Sequence, residues 1–134
     1  MRPRVYIAGP LSAPTCVGYL QNVAAFYRAD LALRAAGYAP FNPAADFLVG
    51  IQHGAMEYAD FFEPDLSWVP AADAILRLPG HSPGADVECA LARASGVPVF
   101  ASIEALQRGL PSCAPPRKGP AGGSPVGPPP SSKE

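Results

Sequence analysis

Leu78-Pro-Gly-His-Ser-Pro-Gly-Ala-Asp-Val-Glu88-Cys-Ala-Leu-Ala92 is the stretch whose reading decides the fold. An apolar, β-prone run from Ala74 to Leu78 enters it, and a Gly- and Pro-rich turn interrupts it. A helix-prone segment from Ala85 to Ser95 leaves it, with Gly96 at the stop. Strand, turn and helix in that order form half of a parallel α/β unit. In such sheets small ligands bind outside the carboxyl ends of the strands, where Gly permits close approach and helix N-termini attract anions. Glu88 opens that helix beside the crevice, where a carboxylate can attack a sugar carbon. The position suits equally well a Glu that only complements the helix dipole and caps backbone N–H groups.

The same alternation extends in both directions. Arg4 to Ala8 reads as a buried strand stopped by Gly9-Pro10. From Val17 to Ala36, Leu20, Val23, Ala24, Tyr27, Leu31 and Ala35 recur at helical spacing, with Gly37 at the end. Tyr38 to Phe41 is a second strand halted by Asn42-Pro43, and an irregular stretch runs on to Gly54. Met56 to Val69 reads as helix, started anew or kinked by Pro64. Val97 to Ala101 is a fourth strand and Ile103 to Arg108 a last short helix. The expected architecture is α/β, a small Rossmann-like three-layer sandwich with a parallel sheet of four to five strands.

At 134 residues and 49% hydrophobic content the chain fits one domain, residues 1–111. From Ala114 onward 14 of 21 residues are Pro, Gly or Ser, too few of them apolar to offset the entropy of ordering, so 112–134 reads as a disordered tail. A net charge of −1 gives no basic field for nucleic acid or anionic membrane. Cys16, Cys89 and Cys113 form no CxxC pair, which argues against a disulfide framework or a zinc site. No apolar run is long enough for a signal or a span, so a soluble cytoplasmic protein is expected. GxGxxG after the first strand and GxxxxGK[ST] are both absent, which disfavours NAD and ATP. His53 and His81 lack a third ligand at metal spacing, and no metal or cofactor is expected.

Two loops leave strand ends on one edge of this sheet: Gly9-Pro10-Leu11-Ser12, and Pro79 to Asp86. Gly9, Gly80 and Gly84 would let backbone approach a ligand, and Ser12 and Ser82 could donate hydrogen bonds, although ordinary turns favour the same residues. Tyr58, Phe61, Phe62 and Trp68 can stack on a base or pack in a core or interface. Arg77 reaches either a phosphate or Asp73, and Asp86 supports the helix N-terminus.

Val-Tyr-Ile-Ala-Gly-Pro-Leu-Ser at 5–12, Phe-Asn-Pro-Ala at 41–44, Asp65-Leu followed by Ala72-Asp73-Ala, and Ser82-x-Gly84-x-x-x-Glu88 with Ala90 and Ala92 occur in this order. Together they resemble the nucleoside 2-deoxyribosyltransferase superfamily, which also holds hydrolases of nucleoside 5′-monophosphates. The resemblance implies Glu88 as the nucleophile that forms a covalent glycosyl ester. It implies Asp65 as the carboxylate that assists at the base as acid/base or positions the nucleophile, and Tyr6 as the residue orienting Glu88. Gly9, Pro10, Ser12, Asn42, Asp46, Ser82 and Gly84 fall where substrate would be bound. A homo-oligomer, dimer or larger, acting on a nucleoside or nucleotide is implied as well.

The chemistry agrees with that placement. Cleavage of an N-glycosidic bond passes through an oxocarbenium-like state, which a carboxylate beneath the sugar stabilises and traps, while a second acid protonates the departing base. The first loop carries no Arg, which leaves the 5′ group open, and no long ordered segment follows the fourth strand, which leaves hydrolysis beside transfer. Leu78 to Glu88 is also loosely similar to the PGGxGTxxE motif of phosphoribohydrolases. A nucleotide-sensing or protein-binding module on the same fold is the alternative of a different class.

Overall fold

The computed structural model describes residues 1–54 and 58–112. Four parallel strands, β1 (Arg4–Ala8), β2 (Ala39–Phe41), β3 (Ala74–Arg77) and β4 (Val99–Phe100), lie in the order β2-β1-β3-β4. Between them run α1 (Cys16–Ala35), a 3₁₀ turn at Pro43–Ala45, α2 (Asp46–His53), α3 (Tyr58–Leu66), a 3₁₀ turn at Val69–Ala71, α4 (Pro83–Ala94) and, last, α5 (Ile103–Gly109). This is the α/β sandwich expected.

Alternation along β1 builds the layers. Val5 and Ile7 face one side and pack with Val23, Phe26, Leu33 and Leu106, so α1 and α5 cover that face. Tyr6 and Ala8 face the other and pack with Val69, Ala85, Cys89 and Ala92, so α4 and the turn after α3 cover it. The Tyr38 hydroxyl donates to the Leu110 carbonyl at 2.6 Å, and the Ser112 hydroxyl to the Gly37 carbonyl at 3.0 Å, which ties the end of α5 to the end of α1.

Several details depart from the expectation. Of the α1 residues picked out by spacing, only Val23 is buried. The inward face is Val23, Phe26, Ala29, Asp30 and Leu33, while Val17, Leu20, Tyr27 and Leu31 point to solvent. The helix is apolar on two sides, so periodicity alone does not select the buried one. The stretch read as irregular contains α2, capped at Gly54 with φ 75°. Asn42-Pro43, read as a strand stop, is also a helix-type start, an Asn cap before a Pro at the first position. Pro64 sits inside α3, not at its start. Met56 and the tail from Cys113 onward lie outside the described residues, and among those described no helix is long and apolar enough to cross a membrane.

Because Leu33 is fully buried and Leu31 is 67% exposed, Leu33→Ala should lower stability in urea denaturation by about 2–5 kcal/mol. Leu31→Asp should still give a folded protomer by circular dichroism. The reverse ranking would mean that α1 is turned the other way.

Candidate active site

β1 and β3 are neighbours at the centre of the sheet, yet the chain leaves β1 toward α1 on one face and β3 toward α4 on the other. A crevice opens at their carboxyl ends for that topological reason. Two glycines let the loops meet there. A Cβ on Gly9 would stand 2.8 Å from Cβ of Leu78, and one on Gly80, held at φ 114°, 2.9 Å from Cγ of Pro10. These glycines thus clear loop against loop, where the sequence suggested clearance for a ligand. Ser82 joins the loops: its hydroxyl donates to the Gly9 carbonyl at 3.3 Å and accepts from the Ala85 N–H at 3.1 Å, capping α4.

The crevice is a cavity of about 610 Å³. Gly9, Pro10, Ser12, Ser82 and Gly84 form its rim, Ile7, Leu11, Tyr19, Phe26, Phe47, Phe61 and Phe62 supply apolar wall, and Glu88, Asp65 and Asp46 bring carboxylates into it. His81 is also at its edge, and no Lys or Arg lines it among the described residues. Nor do three His, Cys, Asp or Glu side chains among those residues converge closely enough to hold a metal ion.

Glu88 is buried in α4 and accepts a hydrogen bond at 2.8 Å from the hydroxyl of Tyr6, itself fully buried in β1. The second Glu88 oxygen receives no hydrogen bond from a described residue, and Glu88 lines the cavity. Burial pushes Glu88 up to about 7, and the Tyr6 bond and the positive field of Arg77 offset only part of that rise. Burial also raises Asp65 well above the ordinary carboxylate range, reinforced by a hydrogen bond with Asp46 and by the charges of Asp46 and Glu88. Pushed up to about 8, Asp65 keeps its proton at neutral pH and is available as an acid. The Tyr6 hydroxyl is raised too, by burial and by Glu88, and keeps its proton to donate.

Most of the residues singled out from sequence meet here. Asn42 does not: its side-chain amide donates to Asp30 at 3.1 Å and its oxygen caps Ala44 N–H at 3.0 Å, so it braces the corner after β2. Arg77 pairs with Asp86 at 3.2 Å and bonds the carbonyls of Leu78 and Gly80, whereas Asp73 pairs with Arg4 at 3.3 Å. Phe61 and Phe62 line the cavity, and Trp68 instead stacks on Phe41 outside it. His53 ends α2, and the side chain of Tyr58 lies outside the described set. Phe47 and Tyr19, 6.0 Å apart at the wall, were not read from sequence. The missed signal for Phe47 was the helix start at Asn42-Pro43.

A parallel three-layer domain with carboxylates beneath a crevice at the switch point defines the class of 2-deoxyribosyltransferase-like α/β proteins. The 2-deoxyribosyltransferase of Bacillus psychrosaccharolyticus shares the fold with a TM-score of 0.54 at 25% identity, over 72% of this chain and 69% of that one. The 2-deoxyribosyltransferase from Leishmania mexicana shares it with a TM-score of 0.53 at 21% identity, over 73% of this chain and 62% of that one. No curated protein sequence matches the chain. Residues 3–101 match the family described as a domain of unknown function, DUF4406, and the chain belongs to that family, which lies in the 2-deoxyribosyltransferase superfamily.

The Glu88 shift has a consequence for stability. Its folded value, about 7, lies above the ordinary 4.5. The folded state therefore favours the protonated form, and the contribution present below pH 4.5 is lost as pH rises through 7. At about 1.4 kcal/mol per unit the loss is roughly 3 kcal/mol. Glu88→Gln should thus be more stable than wild type at pH 8 and lose most of that pH slope in denaturant titrations. An unchanged slope would place the carboxylate in water.

Proposed function

We propose that the protein breaks and remakes the N-glycosidic bond of 2′-deoxynucleosides through a glycosyl ester on Glu88. The observation that carries this reading is the buried Glu88, fixed by Tyr6, facing one cavity with Asp65, whose carboxyl is raised by burial and by the neighbouring Asp46. Among the described residues neither Glu88 nor Asp65 is in an ion pair, which supports an enzyme over a sensing module built on structural salt bridges. The free Glu88 oxygen attacks C1′ and the C1′–N bond breaks. Its electron pair goes to the base nitrogen, which takes the proton held by Asp65. An incoming base nitrogen then attacks C1′, releases the Glu88 carboxylate and returns a proton to Asp65. Water as acceptor gives hydrolysis, and the aromatic wall of Tyr19, Phe47, Phe61 and Phe62 is suited to stack a base in its place.

The cavity favours a 5′-hydroxyl over a 5′-phosphate. A phosphate would enter a space holding three carboxyl groups and no Lys or Arg among the described lining residues, while the Ala85 N–H at the start of α4 is already taken by Ser82. Deoxynucleosides should exceed their monophosphates by about tenfold or more in kcat/KM, one tenfold being about 1.4 kcal/mol. Product chromatography with and without a second free base measures this and separates transfer from hydrolysis. Glu88→Ala should abolish both, and Asp65→Asn should lower kcat by about 10² to 10⁴. Activity should rise through about pH 7 as Glu88 ionises and fall above about 8 as Asp65 loses its proton. A wild type that binds nucleosides and leaves them intact would sink the enzymatic reading.

A second copy of the chain is the occupant we assign to the outer face of α1. Val17, Leu20, Ala24, Tyr27 and Leu31 repeat at three- and four-residue spacing, and all are exposed. The row is near-symmetric about the small Ala24, so two copies can pack antiparallel with Val17 over Leu31, a self-complementary two-fold contact. Light scattering should show a dimer or larger, and Leu20→Asp with Leu31→Asp should give folded monomers. A monomeric wild type at tens of micromolar would overturn this.

A further inference from the structure

Three aromatic rings stand in a row that ends on the Tyr6–Glu88 bond. The Tyr6 and Phe41 rings lie 5.2 Å apart at 11°, and the Phe41 and Trp68 rings 5.5 Å apart at 26°. The first contact follows from strand register: Tyr6 pairs with Phe41 across β1 and β2, and directly paired residues share a face. The second follows from the turn after α3, where the Trp68 N–H donates to the Asp65 carbonyl at 2.9 Å. One end of the row therefore holds Glu88 and the other is anchored beside Asp65. Trp68 is 56% exposed and flanks, with Phe41 and Pro40, a separate groove of about 220 Å³.

We propose that Phe41 and Trp68 are positioning residues: the stack sets the plane of the Tyr6 ring, keeps its hydroxyl on Glu88, and holds the Asp65 turn in place relative to Glu88. A small tilt of the Tyr6 ring is amplified at its hydroxyl, and a hydrogen bond weakens steeply once it is off line. Phe41 is the only ring stacked face to face on Tyr6 among the described residues, so its loss leaves that tilt uncontrolled. The charged and titratable groups that bear on Glu88 are Tyr6 from β1, Arg77 from β3 and Asp65, with its partner Asp46, from α3 and α2. Of these, Tyr6 is itself a ring of the stack, and Asp65 meets it through the backbone bond from Trp68. The catalytic consequence rests on the glycosyl-transfer reading above, whereas the geometric one does not.

The test uses the full chain with Phe41→Ala, Phe41→Tyr, Trp68→Ala and Trp68→Phe, and Tyr6→Phe as reference. The Glu88 carboxyl is titrated by carbon-13 NMR, and kcat and KM are measured for deoxyribosyl transfer. In Phe41→Ala the Glu88 midpoint should rise as it does in Tyr6→Phe. Its kcat should fall about ten- to a hundredfold with KM within about threefold, the pattern of a misplaced reacting group. Phe41→Tyr and Trp68→Phe should restore both readouts. Folded Phe41→Ala and Trp68→Ala proteins with a wild-type Glu88 midpoint would overturn the proposal. If Phe41→Ala does not fold, Trp68→Ala, altered at a half-exposed ring, decides. If wild type transfers nothing, the glycosyl-transfer reading fails and the titration still judges the stack: a raised midpoint supports it and an unmoved one removes it.

Discussion

The hydrogen bond from Tyr6 to Glu88 crosses the dry layer between the sheet and α4, and it constrains both elements at once. It requires β1 to present its even-numbered residues to α4, since a slip of one residue would send Tyr6 to the α1 face and bring Val5 or Ile7 in its place. It also requires α4 to begin where it does. Ser82 caps the helix and Pro83 and Gly84 open it, which places Ala85, Glu88, Cys89 and Ala92 on the inward stripe. The carboxylate thus occupies a position that in an ordinary domain would hold another apolar side chain.

That placement is unfavourable for stability and useful for chemistry. Burial is the largest influence on Glu88 and on Asp65, larger than any one charge or hydrogen bond near them. Arg77 is close enough to Glu88 to lower it, but its guanidinium is committed to Asp86 and to the Leu78 and Gly80 carbonyls. A cation turned fully onto Glu88 would fix it as an anion and weaken it as a nucleophile. Held at a distance, Arg77 leaves Glu88 near neutrality, while Asp65 holds a proton above it. Two carboxyl groups both raised toward neutral pH by burial leave one able to ionise and the other able to hold a proton in that range.

The order of the strands and of α1, α3, α4 and α5, though not of α2, was legible in the sequence because β-prone runs, glycine stops and helix caps agree locally with the fold, as at Ala74 to Gly96. Glu88, Asp65 and the two loops were legible because each stands next to such a signal. The inner face of α1 was not, because Val17, Leu20, Tyr27 and Leu31 give the outer face an apolar period as good as that of Phe26 and Leu33. Asn42 was misplaced for a different reason. A polar residue after a strand can serve a ligand or a cap, and only the contact with Asp30 and the Ala44 N–H decides between them. The aromatic row lay beyond reach because it joins residues 6, 41 and 68 through strand register, which no local pattern encodes.

α2 is the helix that meets both the cavity and Asp65. It is eight residues long and none of its side chains is buried, well short of the roughly 12–15 residues at which an isolated helix becomes marginal in water. What holds it is the Asn42-capped turn before it, the left-handed Gly54 after it, the contact of Phe47 with Tyr19, and Gly50 lying against Phe61. Its first two residues, Asp46 and Phe47, line the cavity. A ligand there touches α2 at its first turn, and whatever stabilisation the helix lends the ligand is returned to the helix as the same free energy. Asp46 is also the partner that helps Asp65 keep its proton. The first turn of α2 therefore bears at once on the cavity wall and on the proton of Asp65.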